Sequence, residues 1–129
     1  MKQPIPYVVA RMLIASVFVG LGTERLLEKA GVLTGRNPPG VAGVLFSIFE
    51  VLAGIAIMAG WQAGRLSLLL GVLLVVDAFV AHQFWNHGGA EMHAQLLHFL
   101  KNVSIIGGLF LLSWTEANRS DPKVPGDLP

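Results

Sequence analysis

No cysteine occurs anywhere in this 129-residue chain. Disulfides, thiolate metal ligands and thiol redox chemistry are therefore excluded for the chain acting alone. Charge is scarce as well: 13% of residues are Asp, Glu, Lys or Arg, against about 25% in an ordinary soluble domain. The 9 basic and 8 acidic residues nearly cancel, to a formal net charge of +1, so the chain offers nucleic acid no attractive field and no nucleic-acid partner is expected. HExxH is also missing, and no two histidines stand at the i, i+3 or i, i+4 spacing that aims two imidazoles at one metal. No metal site is expected.

What the chain has instead is apolar length. Hydrophobic residues make up 53% of it, and they gather in windows at 5–21, 41–60, 66–81 and 95–114. Each is close to the roughly 20 helical residues that cross a hydrocarbon layer. The expectation is an all-α, transmembrane four-helix bundle: one four-span membrane domain over 1–115 and a polar tail, EANRSDPKVPGDLP, over 116–129 without a fold of its own. The first window lacks a clear small-residue cleavage site and runs on into the amphipathic TERLLEKA, so it reads as a retained span rather than a signal peptide.

Backbone punctuation agrees with this division. GVLTGRNPPG, GWQAG and NHGGA separate the windows, and Trp61, Trp85 and Trp114 fall at window ends, where interfacial anchors sit. Lys2, Arg65, Arg119 and Lys123 lie on one side, opposed by Arg25, Lys29 and Arg36 in the first loop, while the third loop has no Lys or Arg. That asymmetry places both termini in the cytoplasm. Small residues inside the windows, Gly20, Gly22, Ala53, Gly54, Gly107 and Gly108, permit close helix packing, which is what holds spans together where lipid removes the hydrophobic drive.

Charges also fall where lipid should be. Arg11, Glu50, Asp77 and Lys101 each lie inside or near the end of a window, and an isolated charge there costs roughly 2.5–3.5 kcal/mol on insertion scales. With about 1.5 Å of rise per residue and alternating directions, the inferred depths pair Arg11 with Glu50 and Asp77 with Lys101. The pairs either fix helix register or line a polar cavity. On the fourth span Gln95, His98 and Asn102 share one face, with Lys101 beside them, and on the first span Arg11, Ala15, Phe18, Gly22 and Arg25 form one stripe.

All four histidines, His82, His87, His93 and His98, fall between the end of the third window and the first turn of the fourth. Three readings stay open. His87 and His93 are loop residues in water while His82 and His98 close polar faces at the interface; or His82 and His98 face each other across the bundle, as haem b would need; or His82 or His98, backed by Asp77, Lys101 and Asn102, exchanges protons with a quinone-type headgroup walled by Phe84, Trp85 and Phe99.

The stretches FEVLAGIAIMAGWQAGRLSLLL, AHQFWNHGG and HFLKNVSIIGGLFLL together resemble the DoxX family of small bacterial and archaeal membrane proteins. The resemblance is carried by Glu50, Gly60, Arg65, His82 with Phe84 and Trp85, and then by Phe99, Leu100, Lys101, Asn102, Gly107 and Gly108. Two departures stand out: Ala53-Gly54 where Gly-Gly often follows the Glu, and Glu24-Arg25 where a lone Lys is common. The resemblance implies a four-helix protein of the cytoplasmic membrane, often a subunit linked to quinone-dependent redox chemistry such as thiosulfate oxidation. The functional expectation is an accessory subunit rather than a catalyst: it anchors other membrane or soluble redox subunits, contacts the lipid bilayer, and offers Glu50, Asp77, His82, His98, Lys101 and Asn102 to a quinone. No tightly bound cofactor is expected, and a homo-oligomer is compatible with the glycine-bearing faces. The alternatives are a small transporter or channel, whose charges line a path, and a purely structural subunit of a larger complex.

Overall fold

A computed structural model of the chain describes residues 2–34 and 39–120. These form four α-helices, α1 (Ile5–Lys29), α2 (Val41–Ala59), α3 (Ala63–Ala81) and α4 (Gly89–Ser120), with a single 3-10 turn at Phe84–Asn86 before α4. Among the described residues there is no strand, and all four helices are long and apolar enough to cross a membrane. The all-α class and the four spans therefore stand as expected.

The helices overrun the apolar windows. α1 continues past 21 to Lys29, and α4 starts at Gly89 rather than 95 and runs to Ser120, into the segment expected to be a structureless tail. Hydropathy marks only where the backbone meets lipid. Thr23 to Lys29 and Glu91 to Gln95 contain few helix breakers, so hydrogen bonding simply propagates into the polar zone. Residues 121–129 of the expected tail lie outside the described ones.

Local chemistry sets several ends. Pro6 opens α1, in the first turn where its missing N–H costs nothing. α2 stops at Gly60, whose φ of 82° is the left-handed conformation that closes a helix and that glycine adopts without a Cβ penalty.

The chain divides into two compact units after Ala63. In the first, α1 and α2 form an antiparallel hairpin whose buried stripe on α1 is Arg11, Ala15, Phe18 and Gly22. That is the stripe read from the sequence. Facing it on α2 are Ser47, Glu50, Ala53, Gly54 and Ile57, all buried. Backbones approach closely at the glycines: a Cβ on Gly22 would stand 2.9 Å from the Ser47 carbonyl oxygen, and one on Gly54 would stand 3.2 Å from that of Ala15. Packing of this kind, through small residues, is what supplies association in lipid.

The second unit is the α3–α4 hairpin. Gly64 sits against Glu116, Gly71 against Phe110, Asp77 against Asn102 and Phe79 against Phe99, so each step along α3 is matched by a step back along α4. Toward the turn between the two helices, Phe79, Phe84, Trp85 and Phe99 close on one another, with Phe99 5.3 to 6.3 Å from each of the other three ring centroids. Edge-to-face contact of this sort ties the turn onto both helices.

A candidate polar site in the second hairpin

The last two turns of α3 and the second to fourth turns of α4 meet beside that aromatic group. Because side chains on α4 recur every three or four positions, Gln95, His98 and Asn102 all present to α3. Asn102 Nδ2 donates to Asp77 Oδ2 at 3.1 Å, and Asn102 itself is 6% exposed. Asp77 Oδ2 also faces His82 Nε2 at 3.7 Å. On its other side His82 Nδ1 lies 3.0 Å from Gln95 Oε1, and its ring stacks on that of His98 with centroids 5.1 Å apart and planes 21° from parallel.

This is a continuous polar run, Asn102 to Asp77 to His82 to Gln95, with a second imidazole laid against it. Its chemistry follows from its donors. Gln Oε1 accepts, so the tautomer that suits this contact donates from His82 Nδ1 and leaves Nε2 facing the Asp77 carboxylate. An imidazole held at one nitrogen and placed beside an acceptor at the other is the arrangement that passes a proton. The stacked rings of His82 and His98 leave no gap for a porphyrin, so the pair is not placed as haem ligands. Among the described residues no group of three or more His, Asp or Glu side chains could hold a metal ion.

The two outer histidines are placed differently. His87 Nδ1 bonds the Gln83 carbonyl at 2.8 Å and its Nε2 lies 3.4 Å from Glu91, one helical turn on. His93 is exposed on the first turns of α4, which makes it a helix residue rather than a loop residue.

Of the six residues expected at a ligand site, the hairpin brings together Asp77, His82, His98 and Asn102. Lys101 is exposed, about 100° around α4 from Asn102. The expected pair of Asp77 with Lys101 is thus replaced by Asp77 with Asn102 and His82. Gln95, which orients His82, was visible in the sequence only as a member of the same helix face.

Glu50 belongs to the first hairpin, and its ion pair is with Arg25 rather than Arg11. The reason is register. Gly22 packs against Glu50, and Arg25 follows one turn later on the same stripe. Arg11 lies instead beside Gly60, ten residues from Glu50, or about 15 Å along a helix, farther than an arginine reaches. Arg11 donates through Nη1 to Gln3 Oε1 at 2.7 Å and through Nη2 to the Met58 carbonyl at 3.2 Å, with Tyr7 5.7 Å from its guanidinium. Its Nε is buried without a hydrogen bond among the described residues. A cation against the last carbonyls of α2 complements the negative end of that helix.

These features define an integral membrane protein of four helical spans, with one polar cluster in the second hairpin and a half-buried ion pair in the first. No family model matches the chain, and no solved structure matches it. Among proteins of known sequence it is similar to the inner membrane protein YphA of Escherichia coli strain K12, 26% identical over 118 residues that cover 88% of this chain and 84% of that one. The inner membrane protein YqjF of the same strain is 27% identical over 116 residues, covering 88% and 85%.

Proposed function

We propose that the chain is a DoxX-like subunit of a prokaryotic cytoplasmic membrane, with both termini on the cytoplasmic side, that anchors redox partners and offers a quinone headgroup a place to exchange protons. The observation that carries this reading is the Asp77–His82–Gln95 run with Asn102 and His98 beside it. A proton-passing imidazole at the end of a membrane hairpin, next to apolar rings that suit a flat molecule, meets the two requirements of a quinone headgroup. The inner-membrane relatives agree with the location and are silent on the chemistry.

The test is extraction of the tagged chain in mild detergent, followed by assay of quinone-linked turnover and identification of what copurifies. A flavoprotein or cytochrome should accompany the chain, and His82→Ala should depress turnover of the assembly. Unchanged turnover in His82→Ala and Asp77→Asn would remove the proton-exchange role. Solute flux in liposomes that hold this chain alone would replace the reading with transport.

A further inference from the structure

The polar run uses only half of its carboxylate. Both contacts of Asp77, the Asn102 amide and the His82 ring, fall on Oδ2, which leaves Oδ1 on a side chain that is 49% exposed. Asp77 lies four residues before the end of α3, about 6 Å inside the apolar window, where water is a poor supply of donors. An ionised carboxylate accepts hydrogen bonds and cannot donate them.

We propose that Asp77 Oδ1 is the point at which the hairpin accepts a hydrogen bond from an aromatic hydroxyl, so that the dihydroxy (quinol) form of a quinone is held in preference to the oxidised form. This rests on the quinone reading above and deepens it. A quinone carbonyl carries lone pairs only, and setting it against Oδ1 brings two acceptors together. A phenolic hydroxyl supplies the missing donor. An ammonium headgroup is the weaker candidate, because the carboxylate already has His82 beside it and the Lys101 cation follows one turn from His98 on α4. The aromatic rings of Phe79, Phe84, Trp85 and Phe99 favour a ring-bearing donor over a lipid hydroxyl.

The full chain is placed in nanodiscs of phosphatidylcholine, which has no amine donor. Trp61→Phe and Trp114→Phe leave Trp85 as the reporter. Saturable quenching is then measured under argon for tetramethylhydroquinone, its quinone and its dimethyl ether. The hydroquinone should bind roughly tenfold or more tightly than the ether or the quinone, the weight of one hydrogen bond to a charged group. Asp77→Asn, which keeps the shape and removes the charge, should shrink that preference to a small factor. Equal saturable binding of all three probes to the unaltered chain overturns the acceptor role and leaves the quinone site standing. A preference that survives in Asp77→Asn overturns it too, by assigning the recognition elsewhere. If none of the three saturates, this inference and the quinone reading fall together. The comparison of hydroquinone with ether needs no Asp77 variant, so a variant that fails to fold does not weaken the test.

Discussion

Arg11 Nη2 donates to the carbonyl of Met58, 47 positions further along the chain, and so the first turns of α1 are fastened to the last turn of α2. The guanidinium also covers Gly60, whose absent Cβ would stand 2.9 Å from Nη1. Removing this cap in Arg11→Met should cost about 2 kcal/mol, the sum of a charge-assisted hydrogen bond and the helix-end electrostatics. Arg11→Lys should recover part of it, since the charge returns without the second donor to Gln3. Detergent denaturation of the purified protein measures both. Equal loss in the two variants would show that charge at the helix end contributes nothing.

The Arg25–Glu50 pair has one buried member and one partly open, at 8% and 37% side-chain exposure. Arg25→Leu takes the cation away from the Glu50 carboxylate and should cost about 1–3 kcal/mol, less than a fully buried pair because Arg25 is partly open. Arg25→Leu with Glu50→Leu should be more stable than Arg25→Leu alone. Purely additive losses in the double-mutant cycle would deny the coupling.

Gly54 and Gly20 make a matched comparison. A Cβ on Gly54 meets the Val19 side chain at 2.8 Å and the Ala15 carbonyl at 3.2 Å, whereas one on Gly20 meets nothing within 4 Å. Gly54→Ala should destabilise the first hairpin by about 1–3 kcal/mol through overpacking, and Gly20→Ala should stay within about 0.5 kcal/mol of the parent. Thermal unfolding in one detergent separates the two.

Coupling energies should also tell Asn102 from Lys101. Asp77→Leu and Asn102→Leu remove the two ends of one hydrogen bond and should couple by about 1 kcal/mol, while Asp77→Leu and Lys101→Met should be additive within about 0.5 kcal/mol. A strong coupling of Asp77 to Lys101 would restore the ion pair inferred from depth alone.

The spans were legible because lipid imposes its thickness on composition, and Trp61, Trp85 and Trp114 mark the ends independently of the apolar windows. The stripe of Arg11, Ala15, Phe18 and Gly22 was legible because one helical period links buried positions, and the face of Gln95, His98 and Asn102 for the same reason. Charge partners were not. Depth along the normal was counted from window edges, but α1 runs eight residues past its window and the glycines set the register, which moved Arg25 onto Glu50 and Arg11 onto the end of α2. Rotation about the axis was missed in the same way: Lys101 and Asn102 are neighbours in sequence and lie about 100° apart around α4.

The unbroken run of α4 carries a mechanical implication. Its 32 residues measure about 48 Å at 1.5 Å each, well beyond a hydrocarbon slab of about 30 Å. One stiff rod thus joins both leaflets, and the azimuth imposed where Gln95 meets His82 dictates the direction in which Glu116 and Arg119 emerge at the far face. A twist or tilt applied at one rim passes along the same helix to the opposite rim, with Gly107 and Gly108 as the place where it can bend.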